Sequence, residues 1–407
     1  MKKILIIGGG VSGITTSIFA KKKNNEVIVL ERNAQPLKKI LMTGNGKCNY
    51  MNEENNMDSY HSQNMDIVED IITWQNIERV KDFFSNLGIV PKVKNGYYYP
   101  FSNQASTVRD ALMGEATRKG VVFKYNCLVN SISKKNNKFI VVTDNEKYEA
   151  DVVVLACGSK AYPKTGSDGM GYLFLKVFKH TIIEPLPALV QLESKGSFLK
   201  EWDGVRSDVS LDLFEDGKYI TSEKGEIQLT NYGISGICTF QLSHFVTRGL
   251  FEGKKEVIKI NFVPFLDDFL AIWFDKFAKD HSNKNIKELL EGILNYKLVS
   301  IILKESKINK DSFYLDLSNE EKIRLIHQLR SFEVPITGTK GFDSCQICNG
   351  GVSLEEIDSH TMESKLVKGL FIVGELLDIN GNCGGYNLTT CWISSMLAGK
   401  KIGGYHD

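Results

Sequence analysis

The run Gly8-Gly9-Gly10-Val11-Ser12-Gly13 constrains this chain more than any other feature. It follows Lys2–Ile7, a nearly continuous apolar stretch of the kind that parallel sheets bury on both faces. It opens a helix of about three turns, after which Val27–Leu30 reads as a second strand. The glycines fall in the frame G-x-G-x-x-G at Gly8, Gly10 and Gly13. One makes a tight turn, one lets backbone approach a pyrophosphate, and one packs helix against strand. A pyrophosphate at that point rests on unpaired N–H groups of a helix N-terminus, where the dipole favours negative charge. The second strand runs into Glu31, 18 positions after Gly13. A carboxylate there accepts hydrogen bonds from the ribose of an adenine dinucleotide and disfavours a 2′-phosphate.

Around this unit the chain changes periodicity three times, as expected of several domains in 407 residues. Residues 1–190 alternate short apolar runs with helical patterns, an α/β layering. Within them, Val121–Tyr125, Leu128–Ser133, Lys138–Thr143 and Lys147–Ala150 read as a small meander with turns such as Asn136-Asn137. It leads into the apolar strand Val152–Leu155. Residues 191–264 alternate in period two, as in Val209, Leu211 and Leu213, with Asp216-Gly217 as a hairpin turn. Residues 265–330 are helical, with Phe265, Phe269, Ile272 and Trp273 and then Ile286, Leu289, Leu290 and Ile293 at helical spacing. After Pro335 the α/β pattern returns. The expected domains are 1–190 with 338–407, an inserted antiparallel β-barrel of 191–264 with 331–337, and a helical insertion of 265–330.

The bulk numbers narrow the partners. A formal net charge of +1 gives no support for nucleic acid or an anionic membrane surface. No apolar run approaches the ~18 residues of a membrane span, and the apolar stretch after Lys2-Lys3 is too short for a signal peptide. Eight scattered cysteines make no disulfide framework. Reduced thiols in a cytoplasmic protein are the expectation.

Two further segments carry backbone suited to a planar or anionic ligand. Thr43-Gly44-Asn45-Gly46-Lys47-Cys48-Asn49 is small and polar enough to wrap a ring. Gly374-Glu375 and then Gly384-Gly385-Tyr386-Asn387-Leu388 precede a C-terminal helix, and glycines before a helix make an anion-friendly end.

With these segments in view, the sequence resembles the YhiN-like flavoproteins, which include the BaiN proteins associated with bile-acid metabolism. The likeness rests on Thr43–Asn49 with Asn52, on Tyr99-Pro100-Phe101-Ser102, and on Tyr162-Pro163-Lys164-Thr165-Gly166-Ser167. It continues through Tyr232–Gly236, Gly350–Ser353, Thr361–Lys365 and Gly384–Asn387, so it spans nearly the whole chain. The resemblance implies a Rossmann-type, glutathione-reductase-like FAD domain of α/β class, with a β-barrel and a helical domain inserted. It places Gly8, Gly10, Ser12 and Gly13 on the FAD pyrophosphate, Glu31 on the adenosine ribose and Val129 on adenine. It puts Ala156-Cys157-Gly158 beside the adenosine, and Thr43–Asn49 and Gly384–Leu388 around the isoalloxazine ring. Val11 and Arg32 count with the same cofactor site, as do Gly374 and Glu375. Cys157 stands where a threonine is usual.

No catalytic acid or base is assigned. The seven histidines show no pairing at metal spacing, and no metal site is expected. Cys345-Gln346-Ile347-Cys348 has no second pair to complete a zinc site and reads as two core thiols. A second G-x-G-x-x-G following a strand is missing, so NADH or NADPH would dock transiently over the flavin. The implied activity is an FAD-dependent oxidoreductase that exchanges hydride with a small organic substrate. The resemblance allows reduction of an unsaturated compound with NAD(P)H, or oxidation of a small amine. A flavin-binding sensor or partner protein without turnover, and a thiol-disulfide oxidoreductase using Cys345 and Cys348, are the alternatives. The purified protein should be yellow and, on denaturation, release FAD rather than FMN, as read by chromatography of the released flavin. Only FAD has the pyrophosphate and ribose that Gly8–Gly13 and Glu31 are suited to hold.

Overall fold

In a computed structural model, which describes residues 1–54, 56–266 and 269–404, the strand Lys2–Ile7 is the middle of a five-stranded parallel sheet. Its order is Leu370–Ile372, Val152–Leu155, Lys2–Ile7, Asn25–Leu30, Val122–Lys124. Ile4, Leu5, Ile6, Val153 and Val154 are fully buried, which explains why these strands read as unbroken apolar runs. Strand order reverses at Lys2–Ile7, with residues 25–30 on one side and 152–155 on the other. A crevice at the carboxyl ends of such a pair is where doubly wound sheets bind ligands.

The helix Val11–Ala20 follows the first strand, and the C-terminal helix Tyr386–Gly403 packs on it. A Cβ on Gly399 would lie 2.5 Å from Phe19 Cβ and 2.9 Å from the Thr16 carbonyl, so the two helices approach at backbone distance. Trp392 Nε1 donates to the Tyr50 carbonyl at 2.9 Å and ties the C-terminal helix to the segment after the glycine loop. All of this belongs to one compact unit, Met1–Leu186 with Gln346–Asp407.

One expectation is corrected here. Val122–Lys124 is not part of the meander but the edge of the parallel sheet, in register with Ile28–Leu30. The meander itself has three strands, Val129–Lys135, Lys138–Thr143 and Lys147–Ala150. Its first turn is Asn136-Asn137, both with positive φ, as a tight right-twisting hairpin needs.

Pro187–Cys345 forms the second unit. Six strands close into an antiparallel barrel: Leu192–Ser194, Gly233–Gly236, Lys218–Thr230, Arg206–Glu215, Glu256–Asn261 and Phe332–Thr339. Asp216 and Gly217 join two of them at φ 47° and 81°. Leu211, Leu213, Ile227, Leu229, Ile258 and Ile260 fill the interior. The helix Ile237–Phe251 packs on this barrel inside a stretch whose sequence suggests only strands. Four more helices follow at Leu270–Asp280, Ile286–Glu291, Tyr296–Ser306 and Asn319–Arg330. Two begin with reciprocal capping boxes, Asn285 with Glu288 and Ser318 with Glu321. Among the described residues, no helix is long and apolar enough to cross a membrane.

Glu256 is an acid of this unit placed against its own chemistry. It is 2% exposed, and neither carboxyl oxygen has a hydrogen-bond partner among the described residues. Its cross-strand neighbour is Glu215, and Gly249 of the covering helix lies against Oε1. Lys254, which could neutralise it, pairs with Glu215 and Glu252 at 2.8 and 2.9 Å. Burial, then the charge of Glu215, pushes the Glu256 pKa up to about 7, with Asp216 and Glu252 adding to the rise and Lys254 opposing it. An acid whose pKa is raised on folding costs the folded state stability as pH climbs from its ordinary value toward the raised one. Glu256→Gln should therefore leave Tm nearly unchanged at pH 5 and raise it by several degrees at pH 8, as read by calorimetry.

Candidate functional site

The glycine turn is built by close approaches of the chain to itself. A Cβ on Gly8 would lie 2.3 Å from the Ala156 carbonyl oxygen, and one on Gly13 would lie 1.9 Å from that of Gly8. These two glycines are demanded by packing alone. Gly10 differs. It has ordinary extended backbone, φ −76° and ψ −175°, and a Cβ there would meet nothing within 4 Å. Gly10 is also the residue before the helix, which has no side-chain cap, so its first N–H groups point out past it.

Glu31 sits at the end of the second strand and is buried. Its Oε2 accepts the Gly9 N–H at 2.7 Å, and its Oε1 accepts the N–H and Nδ2 of Asn33, each at 2.8 Å. The carboxylate thus holds the glycine turn from below. Arg32 is ion-paired with Asp168 and reaches the Gly166 carbonyl. The Cys127 N–H donates to the Glu31 carbonyl at 2.9 Å, which brings the chain leading into Val129 alongside the acid. Ala156 N–H and Cys157 Sγ both donate to the Ile7 carbonyl, at 2.9 and 3.5 Å. Gly158, at φ 73°, packs against Ser167. Residues 7–13, 31–33, 127–129 and 156–158 therefore meet at one end of the sheet.

The segment Thr43–Asn49 turns tightly, with Gly44, Asn45, Gly46 and Cys48 all at positive φ. Gly44 to Lys47 are exposed, while Cys48 is fully buried. Burial pushes the Cys48 thiol up to about 12, with a hydrogen bond to Thr43 opposing the rise. A thiol so placed stays protonated near neutral pH and packs rather than attacks. The Oδ1 of Asn49 is buried without a hydrogen-bond partner among the described residues.

The C-terminal segment folds onto this turn. Gly374, at φ 71°, lies against Ser12: a Cβ there would be 2.2 Å from Ser12 Oγ. Glu375 accepts Lys39 Nζ at 2.6 Å and Ser159 Oγ at 3.1 Å on one oxygen. Burial pushes the Lys39 ammonium pKa down, the Glu375 carboxylate pushes it up, and the net direction is up. Gly385, at φ 98°, precedes the helix Tyr386–Gly403, which again has no side-chain cap. A Cβ on Gly385 would lie 2.6 Å from Met51 C, so this glycine answers to the chain after Asn49. Asn387 clamps its own approach loop, exchanging bonds of 2.8 and 2.6 Å with Gly381. Asn52 Nδ2 donates to the Gly384 carbonyl at 3.1 Å.

Asn33, Lys39, Asn52 and Ser159 thus contact these residues, and of the four only Asn52 figures in the sequence reading, with Thr43–Asn49 in the resemblance. Asn33 follows Glu31 by two positions and offers a local signal. Lys39 and Ser159 act on a residue more than 200 positions away, and only the fold reveals it. Cys345 and Cys348 are buried and form no disulfide, and no group of three His, Cys, Asp or Glu residues among the described ones is placed to hold a metal.

A parallel sheet with a glycine turn and a strand-end acid, closed by a glycine-led C-terminal helix, defines a Rossmann-type FAD-dependent oxidoreductase. The chain belongs to the HI0933-like family, whose Rossmann-domain model matches residues 2–401. It is 36% identical over 406 residues to a 3-dehydro-bile acid delta(4,6)-reductase of Clostridium scindens, covering 98% of both chains. It is 27% identical over 402 residues to a ribosomal RNA dihydrouridine synthase of Escherichia coli, covering 98% of this chain and 97% of that one. Among solved structures, the fold matches a 3-ketosteroid delta1-dehydrogenase from Sterolibacterium denitrificans at a TM-score of 0.53, with 8% identity and full coverage of both chains. It matches a flavocytochrome c3 fumarate reductase at 0.52, with 13% identity over 99% of this chain and 78% of that one.

The contrast among the glycines yields a test. Gly10→Ala should leave the Tm of the cofactor-free protein within a degree or two and weaken FAD binding about tenfold or more, because its Cβ fills space open to a ligand. Gly13→Ala should lower the cofactor-free Tm itself, by an overpacking cost of about 1–3 kcal/mol. Titration with FAD and scanning calorimetry separate the two. Glu31→Ala should weaken FAD binding by roughly 1–3 kcal/mol, and Glu31→Gln by less.

Proposed function

We propose that this protein reduces a carbon–carbon double bond conjugated to a carbonyl group in a small apolar substrate, with NADH or NADPH as the electron source. The observation that carries the reading is the full-length 36% identity to a reductase whose name specifies delta(4,6) unsaturation in a 3-dehydro bile acid. The 27% relative, named for dihydrouridine, points to the same bond chemistry, since the double bond of uracil that is lost in dihydrouridine is also conjugated to a carbonyl.

The site is suited to FAD. Open space beside Gly10, an uncapped helix start at Val11 and the buried acid Glu31 match a pyrophosphate followed by a ribose. The orphaned Asn49 Oδ1 matches a ligand donor. When bound, FAD supplies hydride transfer at its isoalloxazine ring. The chain's part is to hold and tune it. Val11, Ser12 and Gly13 present the unpaired N–H groups of the first helical turn to the pyrophosphate and Gly10 gives it room, while Gly8, whose N–H is donated to the Leu30 carbonyl at 2.9 Å, shapes the turn beneath it. Glu31 and Arg32 line the ribose side, with Val129 and Ala156–Gly158 beside the adenosine. Thr43–Asn49, Gly374 and Glu375 border the ring. Gly384 and Gly385 let the N–H groups of Tyr386, Asn387 and Leu388 face its pyrimidine edge, where a helix N-terminus favours added negative charge by ~0.3–2 kcal/mol. A cytoplasmic setting suits eight cysteines that form no disulfide.

An RNA substrate is the second reading, favoured by the end-to-end match to the dihydrouridine synthase. A net charge of +1 gives little of the phosphate attraction that RNA binding draws on. The deciding experiment mixes anaerobic protein with NADH or NADPH and follows flavin bleaching, then adds a steroid 4-en-3-one or unmodified ribosomal RNA. Bleaching by the nicotinamide and reoxidation by the steroid is the expected result. Reoxidation by RNA alone would move the substrate assignment to uridine, and no bleaching by either nicotinamide would remove the proposed donor.

A further inference from the structure

Glu375 joins three segments that the flavin reading places around the cofactor. Its Oε2 receives Lys39 Nζ, from the turn leading into Thr43–Asn49, at 2.6 Å. The same oxygen receives Ser159 Oγ, next to Ala156–Gly158, at 3.1 Å. Its own backbone follows Gly374, which is packed on Ser12, and its carbonyl accepts the Tyr172 hydroxyl at 3.3 Å. The ion pair is largely enclosed, with side-chain exposures of 28% for Lys39 and 20% for Glu375. An enclosed ion pair resists loss of one partner far more than loss of both, because a single deletion strands a desolvated charge.

We infer that Lys39 is a positioning residue for the flavin, acting through Glu375. Two consequences follow from the geometry. Lys39 fixes the Thr43–Asn49 turn to the Gly374-Glu375 turn, so both borders of the ring keep one spacing. Its charge also cancels that of Glu375, which would otherwise stand as an uncompensated anion beside a cofactor that becomes more negative on reduction. A lysine that merely stabilised the fold would do the first only, through the melting temperature, and would leave the potential alone.

The inference rests on the flavin reading, and its test separates the two. Holoprotein is prepared as parent, Lys39→Met, Lys39→Arg, Glu375→Gln and the Lys39→Met/Glu375→Gln pair. FAD dissociation constants and flavin midpoint potentials are measured for each. Lys39→Met should weaken FAD binding about tenfold or more and make the potential more negative, while Lys39→Arg stays close to the parent. In the Glu375→Gln background, Lys39→Met should change little further. A parent protein that cannot be loaded with FAD sinks the flavin reading. A parent that loads FAD while Lys39→Met keeps its affinity and potential sinks this inference instead. If Lys39→Met proves insoluble, the double variant decides: equality with Glu375→Gln upholds the coupling, and a further large loss of FAD affinity overturns it.

Discussion

The first unit depends on two close approaches at one turn: the helix crosses the end of the first strand with no room for a side chain at Gly13, and the turn passes the neighbouring strand's end at Ala156 with none at Gly8. The crossing fixes where the helix N-terminus points, and that direction fixes where an anion can sit. Glu31 reinforces it from the neighbouring strand by holding the Gly9 N–H. A short stretch of backbone, a carboxylate and a helix dipole are thereby made into one rigid receptor before any ligand contact is made.

The C-terminal segment uses the same device a second time. Gly385 closes against Met51 as Gly13 closes against Gly8, and in each case a helix begins at the contact without a side-chain cap. Glycines in this protein therefore divide by what they face. Gly8, Gly13, Gly385 and Gly399 face the chain's own backbone, whereas Gly10 faces open space. That division marks Gly10 as the one of these five with room beside it and the others as glycines that the chain's own packing requires, a distinction the motif alone does not make.

Much of this was legible in the sequence, for physical reasons. Buried parallel strands must be apolar on both faces, so Lys2–Ile7 and Val152–Leu155 announce themselves, and the positive φ of Asp216-Gly217 is a local demand that asparagine, aspartate and glycine meet cheaply. What failed to show was non-local. Val122–Lys124 has the composition of any short strand, and nothing in its period says that its partner is Asn25–Leu30 rather than its neighbour in the chain. The helix Ile237–Phe251 hid because Cys238, Thr239, Leu242, Ser243, His244 and Val246 are all buried, which leaves no polar stripe to mark the turn of a helix. The pairing of Lys39 with Glu375 spans 336 positions and leaves no trace in spacing at all.

The contact of the first helix with the last has a consequence for how the protein is made. Val11–Ala20 leaves the ribosome early, yet the surface that covers Phe19 and Thr16 is Tyr386–Gly403, which emerges nearly at the end. At ordinary rates of synthesis that interval lasts tens of seconds, roughly. Throughout it the nascent chain carries a Rossmann helix with one face bare, while Pro187–Cys345 can complete its own barrel as soon as Phe332–Thr339 is out. The strands of the inserted unit are thus all synthesised before the last helix of the unit whose sequence it interrupts.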